Sequence, residues 1–131
     1  MGKTTKIVIT LVTLLVAGAL IFSQLPTRGY DRDLSQVGEG KPAIVFGYEN
    51  HSPVGIAAMD RISQVREDYE HAALFLVADL MSEEGQDFTD QHGTHDGFVA
   101  VFDAQGNRLG VRQVPEDQQD LRSFLEDNLD L

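Results

Sequence analysis

The chain of 131 residues contains no cysteine. This absence excludes disulfides, cysteine nucleophiles, thiolate zinc sites and iron–sulfur clusters, because each of them requires a sulfur atom that the chain lacks. Basic residues are also scarce, with ten Lys and Arg against twenty-one Asp and Glu and a formal net charge of −11. Such a charge repels phosphate backbones, so nucleic acid is not an expected partner.

The rest of the composition is that of an ordinary globular protein, with 42% hydrophobic and 24% charged residues. It argues against wholesale disorder. About one hundred residues remain once the apolar N-terminal segment is set aside, which is the usual size of one compact domain. Residues 30–131 hold all twenty-one acids but only seven Lys and Arg. This acidic part presents either an ordinary solvated surface or a face that selects a basic partner.

Residues 7–27 form an uninterrupted run without a charged side chain. A helix needs roughly 20 residues to cross the hydrocarbon core, so we predict a transmembrane signal-anchor at 7–27 after a cytoplasmic segment at 1–6. Lys3 and Lys6 precede the span, whereas aspartates offset the arginines behind it. The N-terminus is therefore expected in the cytoplasm and the domain outside a bacterial-type inner membrane, in the periplasm or its equivalent.

A cleaved secretory signal is the competing interpretation of the same segment. Residues 17–19, Ala-Gly-Ala, offer a pattern of small residues suited to cleavage. Cleavage there would leave an apolar new N-terminus, which favours the uncleaved anchor. Both interpretations predict that the domain is exported.

Beyond the apolar segment, residues 28–41 are polar and contain Gly38 and Gly40, which is typical of a linker with at most a short strand or turn. The folded domain is predicted at 42–131. Apolar runs at 42–48, 73–78 and 98–102 are bounded by turn residues and predict buried strands. A hairpin connection at 103–107 leads to a fourth predicted strand at 109–113.

Three helices are predicted between and after these strands. Ser52 as N-cap and Pro53 at the first helical position begin the first helix. A short polar helix is expected at 83–92, and Pro115 with Glu116 is expected to open the last one. Two apolar stripes recur at three- and four-residue spacing, the first formed by Ile56, Met59, Ile62, Val65 and Tyr69, the second by Leu121, Phe124, Leu125 and Leu129.

Alternation of strands and helices predicts an α/β domain whose central mixed sheet of about four strands is covered by helices on both faces. The order of elements over 41–129 resembles the thioredoxin fold. Three stretches carry the resemblance: KPAIVF at 41–46, VAD at 77–79 and FVAVFDAQG at 98–106. In the thioredoxin family the first of these strands leads to Trp-Cys-Gly-Pro-Cys at the head of a helix.

The matching loop of this chain is Asn50-His51-Ser52-Pro53-Val54. Pro53 aligns with the motif's proline, and His51 and Val54 stand where the family has its two cysteines. Thiol–disulfide exchange needs an attacking thiolate and a resolving sulfur, so this chain cannot perform it alone. The degenerate motif predicts a protein that is not an enzyme of this class and needs no cofactor.

The resemblance places a second loop, His95-Asp96-Gly97, beside the first. Gly97 stands where the family carries a cis-proline, and a cis bond before a residue other than proline costs about 2.5–4 kcal/mol. We therefore expect a trans bond there. In the family this loop pairs with extended polypeptide through its backbone. The main prediction is a non-catalytic protein-binding or assembly module of the cell envelope, held to the membrane by its N-terminal helix.

Two alternatives remain open. His51, His95 and Asp96 would supply nitrogen and oxygen ligands for Cu or Zn, which predicts a metal-binding or metal-delivering module. The other alternative is a thioredoxin-family protein by similarity alone, without thiol–disulfide activity.

Overall fold

The computed structural model describes residues 3–23 and 29–131 of the chain. Its first helix, α1, spans Lys3–Ser23 and so begins inside the predicted 1–6 segment. Within the described part of the chain, no helix combines the length and the apolar character needed to cross a bilayer. The structure thus does not support the predicted span at 7–27, which stays a prediction. Residues 24–27 of that span, and residues 1, 2 and 28 of the flanking segments, lie outside the described residues.

The sheet has four strands in the order β2-β1-β3-β4. They are β1 Ala43–Tyr48, β2 Leu74–Asp79, β3 Phe98–Phe102 and β4 Arg108–Gln113. β1 pairs with β2 in parallel and with β3 antiparallel, and β3 pairs antiparallel with β4. A parallel pair requires a long crossover, which the helix between β1 and β2 supplies. The predicted mixed sheet is confirmed.

Three helices and a short 3₁₀ helix at Leu34–Gln36 accompany the sheet. The helices are α2 Pro53–Tyr69, α3 Glu83–His92 and α4 Gln118–Leu129. Ser52 caps α2 as predicted, and α3 has the predicted bounds. The predicted start of the last helix at Pro115 is wrong: Asp117 caps α4 by accepting hydrogen bonds from the N–H groups of Gln119 and Asp120.

Apolar side chains fill both faces of the sheet. α2 and α4 cover one face, where Phe46 and Val101 of the sheet meet Ile62 and Leu125 of the helices. On the other face Leu34 and the partly buried Phe88 of α3 pack against a smaller cluster made of Ala43, Val45, Leu76, Ala78, Ala100 and Phe102. All six residues of β1 are buried because the strand is covered on both sides.

One member of the predicted α2 stripe faces solvent. Ile56 is 37% exposed, whereas the other four members are buried. The buried face of α2 continues from Met59 to Gly55, one turn closer to the N-terminus of the helix. Gly55 lies against Tyr48 and Asp96, so the first turn of α2 packs through Gly55 and leaves Ile56 at the surface.

The segment predicted as a linker contributes to the core from residue 30 onward. Tyr30 and Leu34 are only 4% and 6% exposed. Asp31 forms a parallel bridge with Leu76 of β2, and its carbonyl accepts a hydrogen bond of 2.9 Å from the N–H of Val77. The packed domain therefore extends upstream of the predicted boundary at residue 42.

Candidate functional site

The two loops singled out in the sequence meet at one end of the sheet. Residues 49–52 join the end of β1 to the start of α2. The loop before β3 forms a parallel bridge between Gly47 and Asp96, in which the N–H of Gly97 donates to the Gly47 carbonyl at 3.1 Å. The loop at 50–54 thus lies beside the loop at 95–97, as the resemblance implied.

A glycine in β1 makes this approach possible. A Cβ atom at Gly47 would lie 2.2 Å from the backbone carbonyl oxygens of both Thr94 and His95. No side chain fits there, since both obstacles belong to the backbone. Glycine inside a strand often marks such a close approach, and this signal was present in the sequence but was not used in the prediction.

Asp96 joins the two loops through its carboxylate. One oxygen, Oδ1, accepts a hydrogen bond of 3.1 Å from the backbone N–H of Glu49. The other, Oδ2, accepts a short hydrogen bond from the Ser52 hydroxyl. Ser52 Oγ in turn accepts from the N–H of Gly55 at 3.3 Å, which is the N-cap bond of α2. We call this arrangement of Asp96, Ser52 and Glu49 the carboxylate clamp.

The carboxylate clamp lies at the N-terminus of α2, where the partial positive charge of the helix stabilises an anion. A Cβ atom at Gly55 would lie 2.3 Å from Asp96 Oδ1. A side chain at this first-turn position would therefore displace the carboxylate from the helix end. In redox proteins, a helix N-terminus lowers the pKa of a reactive cysteine thiol. In this chain a carboxylate lies there instead.

Gly97, the one glycine of the predicted site, is thus complemented by Gly47 and Gly55, which the prediction missed. Gly97 has a φ of +82°, and a Cβ atom there would lie 2.6 Å from Val54 Cγ1. Peptide bonds of the described residues are all trans, as predicted for Gly97. Val54 itself is 51% exposed. An apolar side chain therefore stands at the surface beside the Gly97 loop.

The backbone of Asp96 faces away from the sheet. In a parallel bridge, one residue exchanges hydrogen bonds with the two residues that flank its partner. The N–H and C=O of the partner itself then point away from that residue. Gly47 is the residue that accepts from Gly97, the neighbour of Asp96. The N–H and C=O of Asp96 are thus directed outward, next to Val54.

The structure does not assemble the predicted metal ligands. His51 is exposed, has a φ of +69° and places Nε2 3.3 Å from Asn50 Nδ2. His95 packs edge-on against Phe98, with ring centroids 5.6 Å apart. Within residues 3–23 and 29–131, no group of three or more potential metal ligands is close enough to hold an ion. The metal site at His51, His95 and Asp96 stays a prediction without structural support.

Comparison with solved structures identifies the architecture. An uncharacterised thioredoxin-like protein from Clostridium perfringens superimposes with a TM-score of 0.60 at 18% identity, over 73% of this chain and 77% of that one. Thioredoxin O2 from Arabidopsis thaliana gives 0.57 at 12% identity, over 71% and 83%. The fold is thioredoxin-like.

A third thioredoxin-like neighbour, Trxlp from Edwardsiella tarda, gives a TM-score of 0.59 at 12% identity, over 70% of this chain and 87% of that one. No family model matches the sequence, and no curated protein matches it either. At these identities the likeness establishes the thioredoxin-like fold alone. The chain that adopts this fold has no cysteine.

Proposed function

We propose that this protein is a non-catalytic thioredoxin-like module that binds an extended segment of a partner protein beside Asp96 and Gly97. The outward N–H and C=O of Asp96 carry the proposal, because such a pair can form main-chain hydrogen bonds with one residue of an extended peptide. The exposed Val54 provides an apolar contact next to them. We call the surface formed by Val54 and the partly exposed Asp96, next to the buried Gly97, the peptide groove.

The carboxylate clamp supports the non-catalytic part of this proposal. Both oxygens of Asp96 accept hydrogen bonds, and Ser52 is engaged as donor and as helix cap. The groups nearest the positions that align with the family's cysteines therefore hold the two loops together. These hydrogen bonds hold the loop that carries Val54 next to the loop that carries Asp96.

Selection from a displayed library of short random peptides tests the groove. We expect the purified 29–131 fragment to select peptides whose addition shifts the backbone amide signals of Val54, Asp96 and Gly97. Val54→Lys should abolish this binding, since it places a charged side chain at the apolar contact. Met81→Lys is the matched control, because Met81 is an apolar residue that is 66% exposed and lies after β2.

Two results would contradict the groove. The first is that the library yields no peptide above background. The second is that the selected peptides bind Val54→Lys as tightly as the unmodified domain.

We also propose that residues 7–27 hold the domain at the outer side of a bacterial-type inner membrane. The uncharged run and the two preceding lysines support this proposal. A full-length chain expressed in bacteria should remain with membranes after alkaline carbonate extraction and be digested by protease added to spheroplasts. Release by carbonate, or protection from that protease, would refute this placement.

A further inference from the structure

Half of the arginines in residues 29–131 have no carboxylate partner among the residues that the structure describes. Residues 29–131 contain six arginines and twenty-one acids. Three arginines form ion pairs: Arg32 with Asp79, Arg66 with Glu70 and Arg122 with Asp68. The other three, Arg61, Arg108 and Arg112, have no carboxylate at ion-pair distance among the described residues.

Two of these three arginines line the same cavity. It has a volume of about 200 Å³ and is bounded by Arg61 of α2, Arg112 of β4 and the turn at 113–116. Arg61 Nη1 donates to the Val114 carbonyl at 3.5 Å, and Arg112 Nε donates to the Gln113 carbonyl at 3.2 Å. Among the described residues, the other guanidinium nitrogens of both arginines have no hydrogen-bond acceptor. Glu116 also lines the cavity, without an ion pair to either arginine.

We propose that this cavity binds a carboxylate of the polypeptide that occupies the peptide groove; the proposal rests on the function proposed above. Guanidinium groups bind carboxylates through paired, charge-assisted hydrogen bonds. Pockets for whole small molecules have volumes of about 300–1,000 Å³, so this smaller cavity suits a single acidic group.

The cavity lies within reach of the groove along α2. Val54 and Arg61 are seven positions apart, which places them on the same face of the helix, about 10 Å apart. The turn that lines the cavity adjoins the second loop, because the Val114 N–H donates to the Gly97 carbonyl at 2.8 Å. An extended chain advances about 3.3 Å per residue. The acidic residue is therefore expected about three positions from the residue that pairs with Asp96.

The cavity can attract an acidic group even though the domain as a whole is acidic. Repulsion between the acidic surface and an acidic partner is screened beyond about 8 Å at physiological ionic strength. The attraction between a carboxylate and the guanidinium groups of the cavity acts at hydrogen-bond distance, which is shorter than this screening length. A carboxylate placed elsewhere on the partner gains no such contact.

The test is an NMR titration that follows the side-chain Nε–Hε signals of Arg61 and Arg112 in the unmodified 29–131 domain. The probes are N-acetyl-Val-Ala-Ala-Glu-amide, its Gln counterpart, the Gln peptide with a free C-terminal carboxylate, and acetate. We expect the Glu peptide to shift both signals and to bind about tenfold or more tightly than the neutral Gln peptide. Shifts with the free C-terminal peptide instead would assign the cavity to a chain terminus.

Arg61→Gln and Arg112→Gln should each remove the preference for the acidic peptide. Arg108→Gln is the matched control, since Arg108 also lacks a carboxylate partner but donates to the His92 carbonyl, away from the cavity.

Equal binding of the Glu and Gln peptides, or equal binding of acetate and the peptides, would overturn the inference. With either result, the proposed peptide groove is still supported if Val54→Lys abolishes peptide selection. Conversely, carboxylate binding that is insensitive to Val54→Lys, with no peptide selected from the library, would refute the proposed function and leave only an isolated carboxylate site.

Discussion

At the scale of single residues, Gly55 shows how one missing side chain shapes the candidate site. Replacing a helical glycine by alanine stabilises a helix by up to about 1 kcal/mol, the value for the helix interior. Here the new Cβ would lie 2.3 Å from Asp96 Oδ1 and displace it. Loss of a hydrogen bond to a charged group costs about 1.5–3 kcal/mol. We therefore predict that Gly55→Ala lowers the free energy of unfolding in urea by about 1 kcal/mol.

The same substitution in an Asp96→Ala background isolates the cause. With the carboxylate absent, the gain in helix propensity remains, and only the contact of 3.3 Å with Tyr48 Cδ2 opposes it. Gly55→Ala should then be neutral or slightly stabilising. An equal loss in both backgrounds would show that Asp96 is not the obstacle.

His92, the last residue of α3, makes the stability of the domain depend on pH. Burial and the nearby Arg108 lower the pKa of His92 below its usual value of 6.5. Its ring packs against Phe88 and Phe102, with centroid distances of 4.6 and 5.0 Å. The folded state favours the neutral imidazole, so its stabilising contribution is complete above about pH 6.5 and is lost as the pH falls from there through the lower folded pKa.

Urea unfolding at a series of pH values around and below 6.5 measures this dependence. We predict that stability falls with pH in this window and that His92→Gln falls less steeply. His71→Gln serves as the control because His71 is exposed. Identical pH profiles for the unmodified domain and His92→Gln would contradict this prediction.

At the scale of secondary-structure elements, α3 is held close to β2 by a glycine. A Cβ atom at Gly85 would lie 1.9 Å from the backbone carbonyl oxygen of Asp79. The obstacle belongs to the backbone, so α3 itself would have to move. Overpacking of this kind costs about 1–3 kcal/mol, and we predict a loss near the upper end of that range for Gly85→Ala.

Thermal unfolding and amide exchange in α3 report this loss. Asp87→Ala is the control on the same helix, where the side chain is exposed and a change within about 0.5 kcal/mol is expected. A Gly85→Ala domain as stable as this control would show that α3 can shift at no cost.

Sequence patterns predicted the elements better than their ends. The bounds of α3 agree because Ser82 caps it and Gly93 ends it in a left-handed conformation, both of which are local features. α4 begins at Gln118, after its cap Asp117, rather than at Pro115, which is buried in the segment that precedes the helix. Burial of this kind depends on distant neighbours and cannot be recognised from a helix-start pattern.

At the scale of the whole molecule, the first residues of the domain complete its core. Tyr30 packs edge-on against Phe46, with ring centroids 4.8 Å apart, and its hydroxyl lies 2.9 Å from Ser63 Oγ. Leu34 belongs to the core on the other face of the sheet. Removing both should cost about 4 kcal/mol, since each buried large apolar side chain contributes about 1.5–3 kcal/mol.

A fragment of residues 42–131 should therefore unfold at a much lower urea concentration than a fragment of residues 29–131. This loss is a large part of the 5–15 kcal/mol that is typical of a folded domain. Equal urea midpoints for the two fragments would show that residues 30–41 act as a linker after all.

The sequence by itself determined the order of strands and helices, the acidic character of the domain and the absence of sulfur chemistry. Those properties depend on composition and on patterns that span a few neighbouring residues. Only the tertiary structure decided that Asp96 accepts a hydrogen bond from Ser52, the cap of α2, 44 positions away, and that Arg61 and Arg112 line one cavity. Contacts between distant segments depend on how the helices and loops pack against the sheet, and a local pattern carries no record of that packing.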